Sequence, residues 1–450
     1  MKNTASSFRA VFARVAGKFR RPRHGAESVW GAALLLFVAT RFGDAVNAVT
    51  GIWLVPKYVP QEQLGAVLPL AQVAAFVAMP LSLVLTPYAK LLNVHAERGE
   101  TGKVKAMVRD ASLCAAVALA VALVLVPLFL PLVFDLFGIE NGNLALAIVL
   151  SAVLGALSPI FVETMRALKR FSFVSFCNAA TPLVRFAAMT ALLPLRGLTG
   201  YFAGQCSVPV FLSAASLASF LRGSRGTKPE KWWRDDRAVF FAFLAPMAAL
   251  VVSGNVRGMV EVLPFALMPK IESAAWYQLT RFSDIAAYMG GAIVFVLFPV
   301  ASSRHERGED TLPLLLRAMA LVLCLGTALS VALALAGRAL FSSVGFLAPY
   351  AGFAGWLLPL GVLASVRTAT GCFTAHEMAC ARFSFLRYTV PITLVEALAV
   401  WVACKSGRRF GPDVWHIAHV WGVMTCGAVA TLAGNAVEIA RRRSRAKGAL

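Results

Sequence analysis

The sequence predicts an all-α integral membrane protein of about twelve transmembrane helices, set as two pseudo-symmetric six-helix bundles around a central cavity. Three observations carry the membrane class and the number of helices; the pairing of bundles rests on the internal repeat, and the central cavity on the resemblance, both given below. Of 450 residues, 59% are hydrophobic and only 14% charged, and the mean hydropathy is +0.72, whereas soluble domains carry about 25% charged residues. The apolar residues gather into runs near the ~20 that an α-helix needs to cross the hydrocarbon layer. Lys and Arg collect in the short segments between those runs, mostly on one side of the expected membrane.

The first bundle is read as spans Ser28–Val55, Leu64–Tyr88, Ala111–Leu136, Leu144–Met165, Phe173–Leu193 and Leu198–Leu221. The second comprises Val239–Leu263, Ala275–Val300, Leu314–Ala336, Ala351–Cys372, Tyr388–Cys404 and Val414–Ala440. Residues 28–222 and 238–440 are thus the two lobes, 223–237 a basic linker and 441–450 a basic tail. The first apolar run is longer than the h-region of a cleaved signal, about 7–15 residues, so it reads as a true span. With the N-terminus inside, roughly 31 of the 43 Lys and Arg fall in inner segments and 7 in outer loops. The positive-inside rule then puts a multi-pass chain in the cell inner membrane with both termini cytoplasmic. Lys405, Arg408 and Arg409 are the one outer cluster that runs against it.

Residues 1–27 have their own pattern. Phe8, Val11, Phe12, Val15 and Phe19 recur at helical spacing among Arg9, Lys18, Arg20 and Arg21. A helix lying on the anionic inner leaflet and a basic tail without structure both fit this segment.

The halves also repeat. Val55-Pro56-Lys57 matches Met268-Pro269-Lys270, Thr86-Pro87-Tyr88 matches Phe298-Pro299-Val300, and Glu97-Arg98-Gly99-Glu100 matches Glu306-Arg307-Gly308-Glu309. Landmarks in one order with six spans per half predict parallel bundles related by an axis along the membrane normal.

The net charge of +21 is dispersed among loops and forms no stripe with interleaved aromatics, so nucleic acid is not the partner indicated. No G-x-x-x-x-G-K-[ST] loop, metal-ligand spacing or cofactor motif is present. His416 and His419 read as interfacial. The eight Cys, with no C-x-x-C pair, read as buried small hydrophobes.

Charges inside the spans are the informative residues, because an ionisable group at mid-bilayer costs about 2.5–3.5 kcal/mol or more. The first span carries Arg41, Asp44 and Asn47 on one face, the fifth Asn178 and Arg185, and the seventh Asn255, Arg257 and Glu261. The eighth carries Arg281 and Asp284, the tenth Arg367 and the eleventh Glu396. One reading pairs Arg41 with Asp44, Arg257 with Glu261 and Arg281 with Asp284 as packing locks. The other has Arg41, Arg185, Arg257 and Arg281, with Asn47, Asn178 and Asn255, line a cavity for an anionic headgroup. Asp44, Asp284 and Glu261 are then candidates for coupling to a proton or sodium ion. Arg185 has no carboxylate within a turn of its helix and is the foremost phosphate ligand. Thr40-Arg41-Phe42-Gly43-Asp44 echoes Thr280-Arg281-Phe282-Ser283-Asp284, but in spans that the repeat does not equate, so the echo reads as coincidence.

Several segments resemble the multidrug/oligosaccharidyl-lipid/polysaccharide exporter superfamily, in particular its polysaccharide-type flippases. These are Val59-Pro60-Gln61-Glu62-Gln63-Leu64-Gly65, the loop ending Glu97-Arg98-Gly99-Glu100, Arg166-Ala167-Leu168-Lys169-Arg170-Phe171, and Val296-Leu297-Phe298-Pro299. The resemblance spans roughly residues 29–440. It implies two six-helix lobes and movement of a polyprenyl-pyrophosphate glycan from inner to outer leaflet, by a transporter and not an enzyme. The chain departs from the peptidoglycan-precursor flippases, which usually have two extra spans. An organic-cation antiporter of the same superfamily is the alternative, although five span arginines disfavour a cation cavity. A lipid-processing enzyme would need a large outer loop, and none is found.

This topology has a direct test. Reporter fusions at Arg225 and Gly448 should both read as cytoplasmic, and periplasmic reporter activity at either position rejects it.

Overall fold

The protein is described here from a computed structural model. It describes residues 29–137, 142–224, 226–267, 269–380, 382–407 and 415–448. The amphipathic segment before Ser28 and, of the outer basic cluster, Arg408 and Arg409 lie outside the described residues, as do the side chains of Lys405, His416 and His419.

Among the described residues the chain is helical, without β-strands, and forms twelve legs. The first, α1, is Val29–Val49, continued through a π-helical turn at Thr50–Leu54 into Val55–Tyr58. It is followed by α2 (Val67–Glu97), α3 (Thr101–Phe137) and α4 (Gly142–Ala167). Phe171–Gly223 is a helical stretch of 53 residues. At 1.5 Å per residue a straight helix of that length would be about 80 Å long, far more than a bilayer's thickness. Gly197, at φ 50° and ψ −124°, breaks it into α5 (171–196) and α6 (198–223), a conformation that glycine adopts without steric cost. The second half comprises α7 (Trp233–Leu267), α8 (Lys270–Glu306) and α9 (Leu312–Ser343). It ends with α10 (Leu357–Ala379, after a 3₁₀ segment at Ala348–Trp356), α11 (Leu386–Gly407) and α12 (Trp415–Gly448). Among the described residues eight elements are long and apolar enough to cross a membrane, and Phe171–Gly223 is one of them. The chain is a multi-pass membrane protein.

Several helices outrun the apolar windows. The second span was expected to end at Tyr88 and the third to begin at Ala111, yet α2 continues to Glu97 and α3 starts at Thr101. Hydropathy registers only the part in hydrocarbon, whereas backbone hydrogen bonding carries the helix on into the water layer.

Packing follows the same plan in both halves. In the first, α1 packs on the α5–α6 unit, α2 on α3 and α4, α3 on α4, and α4 on the α5–α6 unit. In the second, α7 packs on α11, α8 on α9 and α10, α9 on α10, and α10 on α12. The halves meet where α1 packs on α8 and α2 on α7. A shift of six helices exchanges these two contacts, as a pseudo-twofold axis requires.

The turns after α2 and α8 share their geometry. Gly99 and Gly308 have φ of +73° and +74°. Glu100 N donates to His95 O at 2.9 Å and Glu309 N to Arg304 O at 3.0 Å, the six-to-one bond of a Schellman close. Pro60 (φ −53°, ψ 141°) and Pro269 (φ −52°, ψ 144°) likewise match as N-caps. Both pairs lie 209 residues apart, which corrects two of the sequence pairings. Pro269 corresponds to Pro60 and not to Pro56, and Pro87 falls opposite Val296, one turn from Pro299. Proline is common at several places near helix ends, so it could not fix the register that the backbone angles fix.

A polar cap ties the linker to the first half. His95, buried, bonds Glu100 Oε2 at 2.5 Å and Asp236 Oδ2 at 2.9 Å. The hydrogen bond from His95, with Lys103 adding to it, holds the Glu100 carboxyl below its ordinary range. The stability this contributes is present above the unfolded carboxylate pKa of about 4.3 and is lost as pH falls through the lower folded value. The cysteines divide. Cys177, Cys372 and Cys380 are buried as expected, but Cys114, Cys324 and Cys426 lie on exposed helix faces, where a small apolar residue suits lipid equally.

Small residues bring α9 and α10 together. A Cβ on Gly326 would lie 2.2 Å from Ser365 Oγ, and one on Gly361 would lie 2.3 Å from Ser330 Oγ. The two small-xxx-small stripes therefore interlock reciprocally, the arrangement that lets apolar helices associate without a hydrophobic driving force. Gly326→Ala should destabilise the protein by about 1–3 kcal/mol through overpacking, read as a lowered melting temperature in detergent. Gly326→Ala with Ser365→Gly should recover most of the loss; no recovery would reject this contact as the cause.

Candidate functional site

The expected span residues resolve into two clusters. The first lies where α1 packs on α5 and α8. Arg41 Nη2 and Asp44 Oδ2 pair at 2.8 Å on α1, and Arg281 Nη1 and Asp284 Oδ2 pair at 2.9 Å on α8. Arg41 also crosses between the halves, donating from Nη1 to the Tyr288 carbonyl. Arg185, on α5, donates from Nη1 to Asn47 Oδ1 at 3.1 Å, and its Nε is buried without a hydrogen-bond partner. Tyr288 lies within electrostatic reach of Asp44, Arg185, Arg281 and Asp284. Tyr201, from α6, lies within reach of Arg185 and Arg281.

Local structure explains the convergence. Gly43 lets α1 approach α5: a Cβ there would stand 2.9 Å from Pro182 Cγ and 3.2 Å from the Asn178 carbonyl. That contact fixes Asn47 opposite Arg185. Asn178 therefore enters the site through its backbone at this approach, where a side-chain role was expected. Past Asn47 the π-turn rotates the rest of α1 and presents Gly51 to α8. The stem of Arg281 rests on Gly51, with Cδ 3.1 Å from where a Cβ would be. Tyr277 Oη donates to the Gly51 carbonyl at 3.3 Å, and the Arg281 guanidinium lies over the Tyr277 ring at 5.3 Å. π-turns concentrate at functional sites because they free backbone groups that a regular helix would use.

The echoed Thr-Arg-Phe-x-Asp segments, set aside as coincidence, thus form matching Arg–Asp pairs, joined across the halves by the Arg41–Tyr288 contact. Each of the four charged side chains keeps 21–29% exposure. They border accessible space and are not sealed in a dry core.

The second cluster is separate. Arg257 Nη2 on α7 donates to Glu396 Oε2 at 2.5 Å, and Arg367 Nη2 on α10 to Glu396 Oε1 at 3.3 Å. Glu396 is buried, and Gly427 on α12 leaves the room it occupies. The Glu261 side chain lies outside the described residues, and with it the expected Arg257–Glu261 pair. Asn255 donates its side-chain amide to Val251 O at 2.9 Å, while its backbone carbonyl accepts from Gln72 Nε2 at 3.5 Å. It serves the α2–α7 contact, where Gly258 makes room for the Gln72 amide. Of the seven expected headgroup residues, Arg41, Asn47, Arg185 and Arg281 converge with Asp44 and Asp284, whereas Arg257 and Asn255 do not join them.

Sequence reasoning missed Tyr201, Tyr277, Tyr288 and Gln72. Tyr277, Arg281, Asp284 and Tyr288 follow a four-three-four spacing, so one stripe of α8 would have found two of the tyrosines. In the first cluster three arginines, Arg41, Arg185 and Arg281, stand with two described carboxylates, Asp44 and Asp284, a balance that suits an anion with several acceptor oxygens.

Neither a protein-family model nor a curated protein sequence matches the chain. Solved structures do. An inward-facing multidrug resistance MATE family transporter of the MOP superfamily aligns with TM-score 0.67 and 12% identity, over 92% of this chain and 99% of that one. A MATE transporter from Vibrio cholerae, VcmN, aligns at 0.66 with 14% identity over 92% and 97%. The lipid II flippase MurJ, in an inward closed conformation, aligns at 0.64 with 13% identity over 90% and 87%. The twelve helices of this chain therefore have the fold shared by MATE and MurJ transporters.

Proposed function

We propose that the protein is a flippase of the polysaccharide type, carrying a polyprenyl-pyrophosphate-linked oligosaccharide from the inner to the outer leaflet of the cell inner membrane by alternating access. The observation that carries this reading is Arg185. It sits at mid-span, and its side-chain partner is the neutral amide of Asn47, while Arg41 and Arg281 nearby each hold their own aspartate. A guanidinium whose charge no carboxylate among the described residues takes up is a costly feature to keep at mid-span unless an anion visits it. Arg41, Arg185 and Arg281 bind the pyrophosphate, with Asn47 holding the Arg185 fork in place. Asp44 and Asp284 release their arginines to the substrate and take up a proton or a sodium ion, which couples transport to an ion gradient.

Organic-cation antiport is the second reading, favoured by the multidrug transporters among the structural neighbours. It needs Asp44 and Asp284 to face substrate, whereas both hold arginines here.

Two measurements separate these readings. Arg185→Ala should lower surface glycan about tenfold or more at unchanged membrane abundance, the loss of one charge-assisted contact of about 1.5–3 kcal/mol. Arg185→Lys should recover only part, because ammonium keeps the charge but not the fork. On purified protein, a polyprenyl pyrophosphate should bind in an Arg185-dependent way and a cationic dye should not. An abundant, fully active Arg185→Ala variant, or dye binding that depends on Asp44 alone, overturns the flippase reading.

A further inference from the structure

Every third residue from 222 to 237 is basic: Arg222, Arg225, Lys228, Lys231, Arg234 and Arg237. Arg222, Lys228, Lys231, Arg234 and Arg237 are exposed. Of the acids in this stretch with described side chains, Asp236 is turned inward onto His95, while Glu230 lies beside Gly102. Glu230 is exposed, so among the described side chains five outward bases face one outward acid and the net outward charge is positive.

Beside these bases is an aromatic cluster of edge-to-face pairs. Trp233 stacks with Trp232 at 5.3 Å, Phe240 at 5.4 Å and Phe241 at 5.9 Å. Trp232 and Phe240 are buried beneath it, whereas Trp233 is 44% and Phe241 55% exposed. Trp233, Arg237 and Phe241 fall at four-residue spacing, on one face at the start of α7. In water such a face is costly. At a bilayer interface it is favourable, because the indole sits among headgroups, the phenyl rings reach the acyl chains and the bases meet phosphate.

The face is also held rigid from behind. Trp232 Nε1 donates to Asp110 Oδ2 at 3.1 Å. Lys105 Nζ donates to the Thr227 carbonyl at 2.9 Å and to that of Ser224 at 3.3 Å. Glu230 N donates to Gly102 O at 3.1 Å. A basic tail without structure would show none of these bonds.

We infer that residues 222–241 form a preorganised docking surface for anionic phospholipid in the adjacent leaflet, with Trp233 and Phe241 inserted at the interface and Lys228, Lys231 and Arg234 on the headgroups. Net positive charge and exposed rings on one rigid face select an anionic lipid over a neutral one, and over a soluble acidic partner that could not accommodate the rings. Because this segment joins the two halves, anionic lipid braces the linker against α3 from outside. The inference needs no assumption about the cargo.

The test uses the full chain in nanodiscs of phosphatidylcholine with or without phosphatidylglycerol. Fluorescence is read for the protein and for Trp233→Phe, and the difference isolates Trp233. Brominated phosphatidylglycerol should quench that difference signal about twofold more than brominated phosphatidylcholine at equal mole fraction, and added salt should remove the preference. Replacing Lys228, Lys231 and Arg234 by Ala should have the effect of salt while leaving Trp233 within reach of both lipids. Equal quenching by the two lipids at low salt overturns the headgroup assignment. Absence of quenching by either shows that Trp233 faces water and overturns the docking surface. The salt series on unaltered protein keeps the test decisive should the triple variant fail to fold.

Discussion

An ion in hydrocarbon must have a partner or an aqueous path, and much of this structure can be traced to that requirement. Arg41 and Arg281 satisfy it first within their own helices, three residues from Asp44 and Asp284. Local pairing leaves guanidinium hydrogens over, and Arg41 places one on the Tyr288 carbonyl across the boundary between the halves. A residue that began as a cost to its own helix becomes a link between lobes. Arg257 and Arg367 meet the same requirement differently, converging from α7 and α10 on the one buried carboxylate of Glu396.

Close backbone approach makes these geometries reachable. Gly43 brings α1 to Pro182, Gly51 receives the stem of Arg281, and Gly427 accommodates Glu396. Each glycine lies beside a charged site, so a polar cluster and its tight packing form one feature. The reciprocal Gly–Ser contacts of α9 and α10 show the same device with no charge involved. There, dispersion and small side chains supply what the hydrophobic effect cannot supply within a lipid solvent.

The proposed alternating access requires the halves to stay separable, which limits how they can be bound together. Among the described residues, α1 meets α8 through the Arg41 bond and the Tyr277 bond, and the middle of α2 meets α7 through a long Gln72 bond, with Lys90 over the Phe243 ring and the His95–Asp236 bond nearer the end of α2. The denser polar ties are placed at one end, where His95, Asp110 and Lys105 hold the linker to the first half. Firm attachment at one end with a more lightly bonded middle suits the rocking of lobes that the proposed alternating access calls for.

The sequence by itself determined the class, the number of helices and the residues too charged to face lipid, because hydropathy and charge cost act locally and add along the chain. It also gave the doubling of the chain, though proline landmarks left the register three or four residues adrift until the turns at Gly99 and Gly308 and the caps at Pro60 and Pro269 aligned it. Which charges belong together was decided by the tertiary structure alone. Nothing along the chain says that Arg185 meets Asn47, that Arg257 meets Glu396, or that two Arg–Asp pairs 240 residues apart flank one tyrosine. Those pairings depend on which helix faces which, and a π-turn and a few glycines set that by rotating and admitting whole helices.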